Sequence, residues 1–181
     1  MNAQVKNVQL LYSGMEFLDV VNDKDEVTGR AEKEEVYEKR LAHRIVQVLV
    51  FNAKGEMMLQ LRSKNKKGYP HYWSPSAGGH VQSGETYDEA ATRELEEELG
   101  VKADLKLMRK EAFYGKVFWN NLPIKKMIAF FSTRHDGPFR MEESDIEKIE
   151  FFGMDRIKTM IARGEKIHPE LLFFLKKHYG F

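Results

Sequence analysis

One stretch of 23 residues, 79–101, limits the fold more than any other part of this 181-residue sequence. It reads GHVQSGETYDEAATRELEEELGV and holds seven carboxylates against one arginine, Arg93. Helix-forming residues run from Glu85, and Gly100 stands where a left-handed residue commonly ends a helix. The stretch therefore predicts a helix over residues 85–100, preceded by a short strand at residues 76–81.

The acidic residues of this helix are spaced so that three of them share one side. At 100° per residue, Glu94, Glu97 and Glu98 fall within an arc of about 100°. Three carboxylates in one patch repel one another, whereas a hard divalent cation with oxygen ligands turns that repulsion into coordination. The spacing predicts a Mg²⁺ site, which Mn²⁺ can also fill. Arg93 stands four residues before Glu97, where it can hold a carboxylate in one rotamer.

The spacing of the other fixed residues distinguishes this segment from a solvated acidic helix, which is the commoner origin of three helical glutamates. Residues 79–101 fit G-x5-E-x7-R-E-U-x-E-E-x-G-U, where U is apolar, and a random match has odds on the order of one in 10⁷. The segment is identified as the signature of the Nudix family. Its fixed positions are Gly79, Glu85, Arg93, Glu94, Leu95, Glu97, Glu98, Gly100 and Val101.

The resemblance implies a Nudix-type α/β/α sandwich with a mixed β-sheet, in which residues 79–101 form a loop-helix-loop. It also implies a hydrolase that cleaves the diphosphate linkage of a nucleoside diphosphate-X or another organic diphosphate. Glu94, Glu97 and Glu98 would hold one or more Mg²⁺ ions across that diphosphate. The positions that would shape the motif are Gly79, Glu85 and Gly100.

The expected reaction is attack by a metal-activated water on phosphorus. In the family one carboxylate deprotonates that water, and Glu94 and Glu98 are the first candidates here. Glu143 or Asp145, in the segment MEESDIEKI, is the alternative on a later loop. Arg93 completes the expected catalytic group as the residue that orients the carboxylates.

A longer similarity covers residues 17–85, which resemble the Nudix subgroup related to isopentenyl-diphosphate isomerase. It is carried by FLDVVNDKDEVTGRAEKEEV, LAHRIVQVLVFNAKGEMMLQLRSKNKKGYP and YWSPSAGGHVQSGE. That isomerase uses a cysteine just before a Gly-His pair and two glutamates on the strand after the box. Gly78, Ile124 and Lys126 stand at those positions here. Hydrolysis is therefore expected, with isomerisation and a non-catalytic diphosphate-binding module as the alternatives.

Several side chains outside the box are weaker candidates. His43 and His80 align with metal-binding histidines of the isomerase, but a histidine at a strand start or beside a glycine turn more often makes a backbone hydrogen bond. Five basic residues are candidates for contacts with phosphate: Lys64, Lys66, Lys67, Arg62 and Lys126. Three aromatic residues are candidates for covering the organic group of the substrate: Trp73, Phe118 and Trp119.

Composition bounds the remaining properties. A length of 181 residues fits one Nudix domain, residues 1–181. A net charge of +1 gives no overall electrostatic field that attracts nucleic acid or membrane. A small organic diphosphate must therefore be bound by a local cluster of side chains. The absence of cysteine excludes disulfides and thiolate catalysis. Residues 1–17 lack a signal-peptide pattern, which predicts a cytoplasmic protein, and a homodimer stays open.

Strands that alternate with helices predict an α/β architecture. Strands are expected at residues 16–21, 27–30, 44–51, 56–62, 76–81, 101–113, 127–133 and 149–152. Helices other than that of the box are expected at residues 31–39, 155–163 and 169–178. Turn residues at 22–25 and 52–55 predict two hairpins.

Overall fold

The computed structural model describes residues 15–181, so the segment tested for a signal peptide lies almost wholly outside the described residues. The elements in chain order are β1 (Phe17–Val21), β2 (Val27–Glu32), α1 (Lys33–Lys39), β3 (His43–Phe51), β4 (Met57–Arg62), β5 (Trp73–Ser74), β6 (Ala77–His80), α2 (Tyr87–Leu99), β7 (Lys106–Lys116), β8 (Pro123–Arg134), β9 (Ile146–Phe152), α3 (Met154–Ala162) and α4 (Pro169–Tyr179). Within these residues no helix has both the length and the apolar character of a membrane span.

The strands of the described residues form one nine-stranded mixed sheet centred on β3. β3 runs parallel to β8, from His43 opposite Lys126 to Phe51 opposite Arg134. It runs antiparallel to β6, where Val46 faces Gly79. β4 pairs in antiparallel fashion with β9 and β5. The mixed sheet predicted from the resemblance is confirmed.

The alternation of β3 side chains explains why both faces of the sheet are covered. Val46, Val48 and Val50 belong to a core cluster on the α2 side, whereas Ile45 and Leu49 belong to a cluster with α3 and α4. Successive strand residues point to opposite faces, so a strand that is apolar throughout needs helices on both sides. The α/β/α sandwich is therefore confirmed. The residues that α2 buries in its cluster include Ala91, Leu95 and Leu99.

The two predicted hairpins differ in the structure. β1 and β2 pair along their length, from Phe17 opposite Glu32 to Val21 opposite Val27. β3 and β4 meet only beside their turn, where Phe51 faces Met57, and then separate. They separate because each pairs over most of its length with other strands, β8 and β6 for β3 and β9 for β4.

The ends of the box helix show how local chemistry sets its limits. α2 begins after Thr86, whose side chain accepts from the backbone of Glu89 while the Glu89 carboxylate accepts from the Thr86 backbone. The helix therefore starts two residues later than predicted. Gly100, with φ of 66°, ends it as predicted. The strand predicted at residues 101–113 begins only at Lys106, because Val101 packs into the core beside α2.

Candidate functional site

A cavity of about 1180 Å³ opens beside α2, between the β4–β5 loop and the tip of the β7–β8 hairpin. The residues of the 79–101 segment that border it include Gly79, Arg93, Glu94, Glu97 and Glu98. Glu85 and Gly100 are not among its lining residues. The structure therefore brings the three predicted metal ligands and the predicted orienting arginine to one cavity, and the motif-shaping residues Glu85 and Gly100 lie outside its lining.

Glu98 is the most buried of the three glutamates, with only 7% of its surface exposed. Its Oε2 accepts from the Gly78 backbone N–H at 3.1 Å and from Gln60 Nε2 at 2.9 Å. Burial first, and then the charge of Glu94, raise the pKa of Glu98 to about 8. Gln60 Oε1 is buried and has no partner within residues 15–181. These carboxylate and amide oxygens are hard donors, the type of ligand that Mg²⁺ prefers.

Glu94 lies directly against the backbone of β6. A Cβ atom on Gly79 would be 2.2 Å from Glu94 Oε1, closer than any real contact. The carboxylate can occupy this position only because residue 79 has no side chain. Burial raises the pKa of Glu94, and Arg93 acts against that shift. The role expected for Gly79, shaping the motif, thus has a steric basis.

Arg93 joins the helix to the loop before it. Its guanidinium donates to Glu85 at 2.7 and 2.9 Å, to Glu94 at 2.7 Å, to Glu97 at 3.2 Å and to the His80 carbonyl at 3.0 Å. The pair with Glu97 has the predicted spacing of four residues. These contacts support an orienting role for Arg93, and they explain why a motif of this kind fixes Glu85 eight residues earlier.

The three glutamates do not form a closed cluster. In the part of the chain that the structure describes, no three His, Asp or Glu side chains stand close enough together to hold a metal ion. Glu94 and Glu97 turn to the Arg93 guanidinium, while Glu98 turns inward to Gln60. Glu97, with 59% of its side chain exposed, forms the outer rim. The Arg93 guanidinium thus balances the negative charge of two of these carboxylates, Glu94 and Glu97.

The two histidines have partners of their own. His43 is fully buried, its Nδ1 lies 3.0 Å from the Leu41 carbonyl, and burial followed by the Lys126 charge lowers its pKa to about 3. His80 Nε2 lies 2.9 Å from the Tyr37 hydroxyl, and burial lowers its pKa well below the usual value. The backbone contact expected of a structural histidine is therefore present at His43.

The basic candidates separate into cavity residues and surface residues. Lys66, Lys67, Arg62 and Lys126 border the cavity, and Lys64 does not. Lys66 is paired with Asp145, the predicted loop base, which also borders the cavity. Arg62 is largely covered and donates from Nε and Nη2 to the Gly68 carbonyl at 3.1 and 2.9 Å. The other loop acid, Glu143, is not among the lining residues.

The aromatic candidates lie in two different places, two at the cavity and one against the core. Phe118 and Trp119 border the cavity at the tip of the β7–β8 hairpin, where 42% and 57% of their surfaces are exposed. Trp73 is partly buried and packs edge-on against Phe152 at 4.9 Å between ring centroids, on the core cluster beside α3 and α4. Trp73 therefore supports the core and does not border the cavity, and the other two form the mouth of the cavity.

The residues of the cavity wall that the sequence analysis did not single out include Gln47, Gln60 and Glu170. Gln60 contacts Glu98, and Gln47 and Lys126 both contact Glu170. The signal for the glutamines was present, because each is a polar residue inside an otherwise apolar strand, HRIVQVLVF and MMLQLR. Glu170 gave no such signal, since an acidic residue in the first turn of a helix is ordinary.

We expect Arg93→Lys to lower the free energy of unfolding by about 2–4 kcal/mol, because one ammonium cannot replace a guanidinium that ties Glu85, Glu94 and the His80 carbonyl together. Urea denaturation measures the change. Arg156→Lys is the matched control, since Arg156 is 60% exposed and contacts one carboxylate, Glu150, and the face of the Phe152 ring. It should shift stability by less than about 0.5 kcal/mol. Equal losses in the two variants would contradict the orienting role.

A family model described as the NUDIX domain matches residues 41–173. The chain is 35% identical over 139 residues to PA4841 of Pseudomonas aeruginosa, described as an uncharacterized Nudix hydrolase, covering 77% of this chain and 79% of that protein. It is 30% identical over 157 residues to the uncharacterized Nudix hydrolase YfcD of Escherichia coli, covering 87% and 83%. The crystal structure of DR0079 from Deinococcus radiodurans is similar with a TM-score of 0.76 and 29% identity, covering 91% of this chain and 99% of that one.

Proposed function

The chain belongs to the Nudix family and is an enzyme that acts on phosphoric anhydride bonds, and from this premise we propose that it uses a divalent cation to hydrolyse a small organic diphosphate. The observation that carries the proposal is the pair of sheltered glutamates at the cavity wall. Glu98 and Glu94 both have raised pKa values because burial removes them from water. A cation between such groups would stabilise both in their charged forms.

The residues of the site have separate roles in this proposal. Glu94, Glu97 and Glu98 would hold Mg²⁺ or Mn²⁺, and the cation would supply charge neutralisation at the diphosphate and a lowered pKa for the attacking water. Gln60 Nε2 and the Gly78 N–H fix the Glu98 carboxylate, and the Arg93 guanidinium fixes Glu94. These contacts keep the carboxylates oriented before a substrate arrives.

The proton of the attacking water needs an acceptor at the same wall. We place that role on Glu94 or Glu98, because both border the cavity and lie largely out of water. Asp145 is the alternative, although Lys66 already neutralises its charge. Glu143 has no place in the proposal, because it does not border the cavity.

Positive side chains at the cavity could receive the phosphate charge. Lys33, Arg62, Lys66 and Lys67 all border it, so the site can attract a polyanion although the whole chain has a net charge of only +1. Arg62 is the most sheltered of these cations, and burial lowers its pKa from the usual value. A phosphate oxygen beside Arg62 would compensate for that loss of water.

We do not extend the proposal to double-bond isomerisation. Gly78 stands where the isomerase has its cysteine, and a Cβ atom there would lie 2.5 Å from the Val46 carbonyl oxygen and 2.7 Å from Gln47 Oε1. A thiol at this position therefore has no room without movement of β3. Ile124 has no ionisable group, and Lys126 is paired with Glu170. The local structure thus lacks the acids and the thiol on which that chemistry depends.

We expect the purified protein with Mg²⁺ or Mn²⁺ to release a phosphorylated product from at least one of four substrate classes: nucleoside triphosphates, dinucleotides, nucleotide sugars and prenyl diphosphates. Chelation should abolish the release, and Zn²⁺ should substitute poorly because the ligands are hard oxygens. Product release is measured by phosphorus NMR of each reaction at several pH values, because cleavage of a dinucleotide or nucleotide sugar yields two phosphate monoesters and no inorganic phosphate.

The same screen separates hydrolysis from the alternatives. Turnover that survives chelation would contradict the metal requirement. A complete lack of turnover with all four classes would favour a diphosphate-binding module, and dimethylallyl diphosphate formed from isopentenyl diphosphate would favour isomerase chemistry.

A further inference from the structure

An ion pair of unusual burial forms part of the cavity wall. Lys126 on β8 donates from Nζ to Glu170 Oε1 at 2.8 Å, and Gln47 Nε2 on β3 donates to Glu170 Oε2 at 2.6 Å. The exposed fractions of the Lys126 and Glu170 side chains are 14% and 4%. Although burial opposes both shifts, each partner stabilises the charge of the other, so the pKa of Glu170 falls to about 2 and that of Lys126 rises. Both groups are therefore charged at neutral pH.

Stability alone does not account for such a pair. Removing two charges from water carries a penalty of several kcal/mol per ion, and replacement of a buried ion pair by apolar residues is often neutral or stabilising. The pair also borders a cavity and is not enclosed in either core cluster. Binding of a ligand in the cavity would explain why a charged pair stands at this place.

The pair still has hydrogen-bonding capacity. An ammonium has three N–H donors, and even if Glu170 and the nearby Tyr37 hydroxyl each accept one, a third remains. The pair as a whole carries no net charge. It therefore favours a neutral group that offers an acceptor, because Glu170 repels a second phosphate about as strongly as Lys126 attracts it.

A chain of contacts connects this pair to the glutamates of the box. Gln47 Oε1 lies 2.7 Å from the position of a Cβ atom on Gly78, and the Gly78 N–H donates to Glu98 at 3.1 Å. Phe118 and Trp119 form the exposed mouth of the same cavity. A diphosphate held at Glu94 and Glu98 would thus place its organic group between the polar wall and the aromatic mouth.

We propose that the buried Lys126–Glu170 pair, together with Gln47, binds a neutral hydrogen-bonding part of the organic group of the substrate, and so selects sugar- or base-bearing diphosphates over prenyl diphosphates. This rests on the proposed function and deepens it by naming the substrate class. An apolar chain at this wall would leave the Lys126 donor without an acceptor, which is unfavourable for a group out of water.

The test compares UDP-glucose, ADP-ribose and geranyl diphosphate as substrates of the wild type and of the double variant Lys126→Met/Glu170→Met. Wild type should have the higher kcat/KM for at least one of the two nucleotides. In the double variant the ratio of that value to the value for geranyl diphosphate should fall on the order of 100-fold, because the polar contacts are gone. Removing both charges together leaves neither one unpaired, but Gln47 Nε2 loses its acceptor on Glu170, so the melting temperature should fall by a few degrees at most.

The matched control is Lys125→Met/Asp23→Asn, which removes an ion pair of the neighbouring strand residue away from the cavity. It should leave the ratio unchanged. A wild-type preference for geranyl diphosphate would overturn the inference whether or not the double variant folds, and so would an unchanged ratio in a folded double variant. Both of these results leave the hydrolase assignment intact. No turnover of any of the three compounds would overturn this inference, while the screen of all four substrate classes would still decide the proposed function. Metal-independent turnover would instead overturn the proposed function and this inference with it.

Discussion

Glu98→Gln is expected to lower turnover on the order of 10³-fold, the size of effect that follows when one preorganised charge at a reacting group is removed. Gln has nearly the same size and helix propensity as Glu but cannot contribute a negative charge to a cation site. The measurement is kcat with saturating Mg²⁺ and any substrate found by the screen. Glu96→Gln is the control, because Glu96 lies on the same helix, pairs with Lys102 and does not border the cavity.

The same substitution should leave the metal-free protein as stable as before, or slightly more stable. The amide oxygen of a glutamine at this position can still accept from the Gly78 N–H, and its NH₂ group can donate to Gln60 Oε1, a buried oxygen with no partner in residues 15–181. Because burial raises the pKa of Glu98 to about 8, the substitution removes little negative charge from the metal-free protein at neutral pH. Added Mg²⁺ at 100 times its Kd stabilises the wild type by about 2.7 kcal/mol, and the variant should gain distinctly less.

Melting curves with and without Mg²⁺, together with turnover, distinguish this account from a structural role for Glu98. A structural glutamate would lose apo stability on substitution and would lose activity only as far as folding is lost. An apo loss of several degrees with unchanged turnover per folded molecule would therefore contradict the assignment of Glu98. The structure already separates Glu98 from Arg93, whose guanidinium contacts Glu85, Glu94 and Glu97 instead.

Gly79→Ala is expected to have the second-largest effect, a loss of turnover on the order of 100-fold with a stability loss of about 1–3 kcal/mol. The added methyl group would stand 2.2 Å from Glu94 Oε1, so the carboxylate must move away from the cavity wall. The backbone at Gly79 is not in the left-handed region, so the effect is steric and not conformational. The measurements are kcat and the free energy of unfolding.

Gly29→Ala is the control for this change. Gly29 also lies in a strand, and a Cβ atom there has no neighbour within 4 Å. Its activity should match that of the wild type. If Gly79→Ala retained full activity, Glu94 would not need its present position, and it would have to be removed from the set of metal ligands that we propose.

The parts of the site that were predictable share one helix. Glu94, Glu97, Glu98 and Arg93 lie within six consecutive residues, and helix geometry alone fixes which of them share a side. Leu95 and Leu99 flank the acidic patch on the same helix, and both are in the core. The sequence did not show that Arg93 separates Glu94 and Glu97 from Glu98, because hydrogen bonding decides between side-chain rotamers that the spacing allows equally.

The rest of the cavity depends on contacts between distant parts of the chain. Gln47 and Glu170 are 123 residues apart and meet because α4 covers the sheet beside β3. Lys126 contacts Glu170 because β8 pairs in parallel with β3, an arrangement that the strand pattern alone does not specify. The same strand order explains why β3 and β4 pair only beside their turn and not along their whole length. Local sequence patterns describe the helix of this site well and its opposite wall poorly.

The central claim is that the box glutamates together hold a divalent cation, and direct binding of Mn²⁺ tests it without any substrate. Electron paramagnetic resonance of free Mn²⁺ gives the bound fraction in the wild type and in Glu94→Gln/Glu98→Gln. The account predicts saturable binding in the wild type and a Kd at least tenfold weaker in the double variant, with Glu96→Gln unchanged. Equal Mn²⁺ affinity in the wild type and the double variant would contradict it.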